Sequence, residues 1–230
     1  MKPAVDPLAQ LTEIRAIMER SSRFISLSGL SGVGAGVVAL AGAAFGHWYL
    51  HNQFEGAGRG GEYGSSVVDA SGFVRLMEGS EADRLATLPF LLALAVGIAA
   101  LATVVAFWFT RRRARREGLP LWGAVSRRLF WSMAVPLVVG GLFCIQLYLR
   151  GAAGLVVPAM LLFYGLALLN ASKYTVDEIK LLGISLLALG LVAGLLPNYA
   201  FLFFALGFGF GHIGYGLIMY NRYERTPRPQ

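Results

Sequence analysis

Six runs of apolar residues, each bounded by charge or turn residues, dominate the chain. They cover about Ile25 to Leu50, Leu88 to Phe109, Leu129 to Leu149, Ala152 to Ala171, Ile179 to Leu196 and Tyr199 to Tyr220. Crossing the hydrocarbon of a bilayer takes about 20 apolar residues in a helix, and each run reaches or approaches that length. None alternates apolar and polar residues as a membrane strand would. The pattern therefore predicts an all-α, polytopic membrane protein with six transmembrane helices. The fifth run is the shortest. From Leu181 it gives roughly 24 Å of helix, so Lys180 is expected to snorkel towards the surface.

The polar segments between the runs predict the orientation. The block RRRARRE at 111–117 lies between the second and third runs. Short loops rich in Lys and Arg remain on the cytoplasmic side of a membrane. Placing this cytoplasmic loop, 110–128, inside also puts the N-terminal tail, the Lys173–Lys180 loop and the C-terminal tail 221–230 inside. Of the 20 basic residues, only Arg59, Arg75, Arg84 and Arg150 then face out. The expected topology is N-in/C-in. The transmembrane domain is expected over 25–220, with an external loop at 52–87 that opens on the glycine-rich GAGRGGEYG.

Residues 1–24 carry a different period. Leu8, Leu11, Ile14, Ile17 and Met18 recur at helical spacing behind Asp6 and Pro7, a suitable cap and first position. This predicts an N-terminal interfacial amphipathic helix that lies on the membrane or receives a partner. The first run is too long for the core of a cleaved signal peptide.

Composition agrees with this picture. The chain has 230 residues, of which 56 % are hydrophobic and 14 % charged. The charged share of a soluble domain is about 25 %. The net charge of +7 flanks the apolar runs rather than covering one face. Anionic lipid headgroups are accordingly the expected partners, and no nucleic acid is. The single cysteine, Cys144, falls within an apolar run and reads as a buried hydrophobe.

Candidate chemistry is sparse. His212 lies within the sixth run, inside GFGFGHIGYG, and ionisable groups at such depth are often functional. It can relay a proton, bind a ligand, or hydrogen-bond a neighbouring helix through Gln146 or a serine. Gln146 and Asn170 read as joints between helices. Gly207, Gly211 and Gly214 fall on one side of the sixth run, with Gly209 and Gly216 nearly opposite. Gly32 and Gly36 form part of a similar stripe on the first run. Small residues let helices approach closely in lipid, so the first and sixth runs are expected to pack together. His47 and His51 are one turn apart but lack further ligands, so no metal or other cofactor is expected. SGVGAG at 31–36 does not follow a strand and is not a dinucleotide fingerprint. No hydrolase or nucleotide-binding motif appears, and no Asp or Glu falls within a run. The chain therefore does not read as an enzyme.

Three stretches, ERSSRFISLSGLSGV (19–33), NASKYTVDEIKLLG (170–183) and GHIGYGLIMYNRYER (211–225), resemble a family of bacterial six-pass inner-membrane proteins with no assigned activity. The resemblance implies a six-pass bundle. It also implies a signalling or envelope-homeostasis setting, because such proteins are often encoded near a winged-helix regulator. All three stretches border the expected cytoplasmic face. Arg20, Arg23, Asp177, Glu178, Arg222 and Glu224 are therefore expected to form a charged surface there, for a membrane or cytoplasmic protein partner or for pairing between helices. The function that follows is a non-enzymatic sensory or scaffolding component acting through its cytoplasmic face. The alternative is a small-solute transporter or channel centred on His212 and the sixth run.

Overall fold

The computed structural model describes residues 28–55, 80–118 and 122–225. The expected interfacial helix, most of the 52–87 loop and the tail beyond Arg225 lie outside the described residues. Every regular element described is helical. They are α1 (Gly29–Glu55), α2 (Glu81–Glu117), α3 (Ala124–Leu149), α4 (Val156–Ala171), α5 (Glu178–Leu195), α6 (Ala200–Phe204), a π-helix (Ala205–Gly211) and α7 (His212–Tyr223). The last three are continuous and, with a 3₁₀ turn at Pro197–Tyr199 ahead of them, make the sixth span, Pro197–Tyr223. Among the described residues, six helices are long and apolar enough to cross a membrane, the pattern of a multi-pass membrane protein.

Successive spans alternate in direction. The start of α1, the end of α2, the start of α3, the end of α4, the start of α5 and the end of α7 share one end of the bundle, the basic end. There α1 packs on α2 and α7, while α4 packs on α3 and α5. The π-helix touches both α1 and α5, so the sixth span lies between these two groups.

The main core gathers Leu161 and Leu168 of α4, Leu182 and Leu186 of α5, Phe203 of α6 and Met219 of α7. At the opposite end Leu50, Tyr148 and Ala153 form a second cluster. There the Tyr148 hydroxyl lies 2.7 Å from that of Thr87 and donates to the Arg84 carbonyl at 3.1 Å. This fastens the start of α2 to the end of α3. Large apolar side chains such as Val96, Val104, Phe107, Val138 and Leu142 point outward, as a lipid solvent permits.

Sequence chemistry sets several helix ends. Ser80 and Asp83 form a reciprocal capping box at the start of α2, so this helix begins well ahead of its apolar run. It also outlasts that run. The arginine block is not a loop but the last two turns of α2, closed by Gly118 at φ 64°. At 37 residues, α2 is about 55 Å long. Within α3, Pro136 has no N–H to offer the Ser132 carbonyl four residues earlier. The Asn170 side-chain amide of α4 donates to that carbonyl instead, at 2.9 Å. A carbonyl that proline leaves without its helical N–H is thus satisfied by the neighbouring helix.

Candidate functional site

Polar side chains concentrate at the basic end. Glu224, just past α7, reaches across to the first residue of α1. Its Oε1 accepts from the Gly29 N–H, and its Oε2 accepts from the Ser28 hydroxyl at 3.2 Å. The carboxylate therefore caps α1 from another helix. It satisfies an N–H that α1 cannot bond internally, and it sits at the positive end of the α1 dipole. The Arg113 guanidinium of α2 completes the joint, 3.5 Å from Oε1. Both side chains are largely buried, at 7 % exposure for Arg113 and 16 % for Glu224. One carboxylate thus ties three spans together.

A second joint lies on the other side of α7. Glu178, the first residue of α5, is buried although acidic. Its Oε1 accepts from Arg222 at 2.7 Å and from the Tyr223 hydroxyl at 2.9 Å. Its Oε2 is buried and accepts no hydrogen bond among the described residues. Tyr215, about two turns before Arg222 on the same span, packs against the main core, as do Tyr164 and Tyr223.

Beyond Tyr215 is His212, at the junction of the π-helix and α7. Its Nδ1 is 3.2 Å from the Gly207 carbonyl, and its Nε2 is 2.8 Å from the Tyr164 hydroxyl of α4. A carbonyl can only accept, so Nδ1 carries the proton. In the neutral ring Nε2 then accepts from the Tyr164 O–H. Phe208 stacks beside the imidazole at 6.3 Å between ring centroids. His212 is therefore a packed, doubly bonded group, and its partner is Tyr164 rather than Gln146 or a serine.

The other expected residues separate. Arg20 and Arg23 lie outside the described residues. Asp177 is exposed at the residue before α5 and makes no side-chain cap there. Gln146 is exposed on α3. Gly32 and Gly36 face the sixth span: a Cβ on Gly32 would stand 3.1 Å from Gly216, and one on Gly36 would stand 2.6 Å from the Gly209 carbonyl. Gly207 instead faces Leu161 of α4 and Leu186 of α5, while Gly211 approaches Leu182. Gly214 faces open space. His47 and His51 stack 6.1 Å apart, with Phe201 edge-on to His47. Among the described residues, no three His, Cys, Asp or Glu side chains gather as metal ligands would. Cys144 is buried, and its sulfur lies 3.7 Å from the Val156 carbonyl.

Sequence reasoning missed Arg113, Ser28, Tyr164 and Tyr223. Arg113 is one of five arginines in its block and had no sequence signal of its own. Thr110, Arg113 and Ala114 are all buried, the i, i+3, i+4 stripe of a packed face continuing into the arginine block.

Among the described residues, two open cavities stand out on the surface. One, of about 590 Å³, is at the basic end between α3 and α4 and is lined by Arg127, Arg128, Trp131 and Asn170 among others. The second, of about 560 Å³, is apolar and lies between α1 and α2, against Phe45 and Phe90. His212 lines neither. Comparison with known proteins finds no family model that matches the chain, no match among curated proteins and none among solved structures.

Proposed function

We propose that this is a six-span protein of a bacterial inner membrane whose basic end faces the cytoplasm, and that it works as a non-enzymatic sensory or scaffolding component through that face. One observation carries the reading: the basic end is both a joint and a projection. Glu224 and Arg113 lock α1, α2 and α7 together, and α2 runs on past Arg113 to Glu117 as about 6 Å of further helix. Arg111, Arg112, Arg115 and Arg116 are exposed on that helix. A rigid, charged extension joined to the packing of three spans is suited to passing a change in the bundle to a partner.

A photo-reactive residue placed at Arg112 or at the lipid-facing Val96 tests this in cells. A protein cross-link at Arg112 that is missing at Val96 supports the reading. Lipid adducts alone at both positions contradict it.

A second reading, transport or conduction of a small solute, is favoured by the π-helix. Segments of this kind often mark functional sites inside longer helices, and here one presents the buried His212–Tyr164 pair. It requires that His212→Ala abolish solute movement in protein that still folds. A scaffold tolerates that change.

A further inference from the structure

The cavity at the basic end between α3 and α4 has the features of a built anion site. Its walls carry Arg127 and Arg128 from the first turns of α3 and Tyr174 from the segment after α4. Both arginines are exposed, and among the described residues neither has an acidic partner. The arginines of the two joints are different: Arg113 and Arg222 each face a carboxylate. The floor is fixed, because Asn170 is held between the Ser132 carbonyl at 2.9 Å and the Lys173 ammonium at 3.3 Å. Lys173 thereby stands beside the same groove. Trp131, 65 % exposed, lies one turn further into the span, at the depth where an indole ring suits a membrane interface.

We infer that this groove binds the headgroup of an anionic phospholipid, with Arg127 and Arg128 on the phosphate and Trp131 along the upper acyl chain. Three features select a lipid over a soluble anion. The groove lies where the apolar run of α3 begins, it is lined by two neighbouring spans, and the exposed Trp131 ring stands beside its polar lining of Ser132 and Asn170. Basic pockets between transmembrane helices bind such headgroups through the same chemistry. The site is separate from the Glu224 and Glu178 joints, so it stands whether or not a partner docks on α2.

Native mass spectrometry of the full chain in mild detergent, titrated with phosphatidylglycerol or phosphatidylethanolamine, tests this. Two arginines near a membrane surface predict roughly thirtyfold tighter retention of the anionic lipid. The double variant Arg127→Gln, Arg128→Gln should lose that preference. Arg115→Gln with Arg116→Gln, which removes equal charge from the end of α2, should leave it within about twofold. Arg127→Lys with Arg128→Lys should retain most of it, because the point charges remain. Equal losses in both Gln pairs would show a diffuse charge effect and overturn the site. Displacement of the lipid by millimolar inorganic phosphate would overturn the choice of a lipid.

Discussion

Removing the Glu224 carboxylate should loosen the whole basic end. In Glu224→Ala, the Gly29 N–H loses a charged acceptor, and hydrogen bonds of that kind contribute about 1.5–3 kcal/mol. The carboxylate also faces the positive end of the α1 dipole, which adds up to ~2 kcal/mol where the geometry is partly buried. At 16 % exposure, Glu224 belongs to that class. The two contributions overlap, since the hydrogen bond is the near part of the dipole interaction. Their combined loss is about 2–4 kcal/mol. The Arg113 contact, at 3.5 Å, is at the limit of hydrogen-bond geometry and is left out of the sum. Glu224→Gln keeps an acceptor and loses the charge, so it should cost roughly half as much. Reversible unfolding in mixed micelles, titrated with a denaturing detergent, measures both variants. A Glu224→Ala protein within about 0.5 kcal/mol of the parent, the range of an ordinary surface change, would refute the reasoning.

The same assay reads three further effects. Gly216→Ala should cost about 1–3 kcal/mol by overpacking, because its Cβ would stand 2.6 Å from the Val33 amide nitrogen of α1; Gly214→Ala, facing open space, should stay within about 0.5 kcal/mol. Tyr164→Phe should cost about 1–3 kcal/mol by leaving His212 Nε2 without its donor, and a silent variant would mean the pair is not formed. Asn170→Leu should be destabilising in the parent and much less so beside Pro136→Ala, which returns an N–H to the Ser132 carbonyl; a coupling below about 0.5 kcal/mol in that double-mutant cycle would disconnect the two residues.

The six helices were legible because hydrocarbon demands long apolar runs, and nothing in the bilayer competes with that signal. Their ends were less so. Hydropathy marks the stretch that meets lipid, whereas α2 is extended at one end by the Ser80–Asp83 capping box and at the other by arginines that favour helix as well as water. Glycine spacing anticipated the approach of α1 to the sixth span. It assigned Gly214 wrongly to a packed face, because stripes counted at about 3.6 residues per turn shift phase across the π-helix of 205–211. No single residue announces that segment, and it turns His212 towards Tyr164. The charged residues chosen for the basic end were mostly informative about position and less about partners. Glu178 does meet Arg222, but Glu224 meets Arg113, which was hidden among identical neighbours in its block. The link between Pro136 and Asn170 was beyond reach, since it needs the register of α3 against α4.

Sidedness decides whether the basic end can meet cytoplasmic partners at all. With Cys144, the chain's one cysteine, replaced by alanine, single cysteines at Asn52 and Arg116 report on the two ends of the bundle, both positions being exposed. Spheroplasts are treated with a membrane-impermeant maleimide before and after permeabilisation. The account predicts that N52C labels in intact spheroplasts and R116C only once the membrane is opened. Labelling of R116C from outside would contradict it.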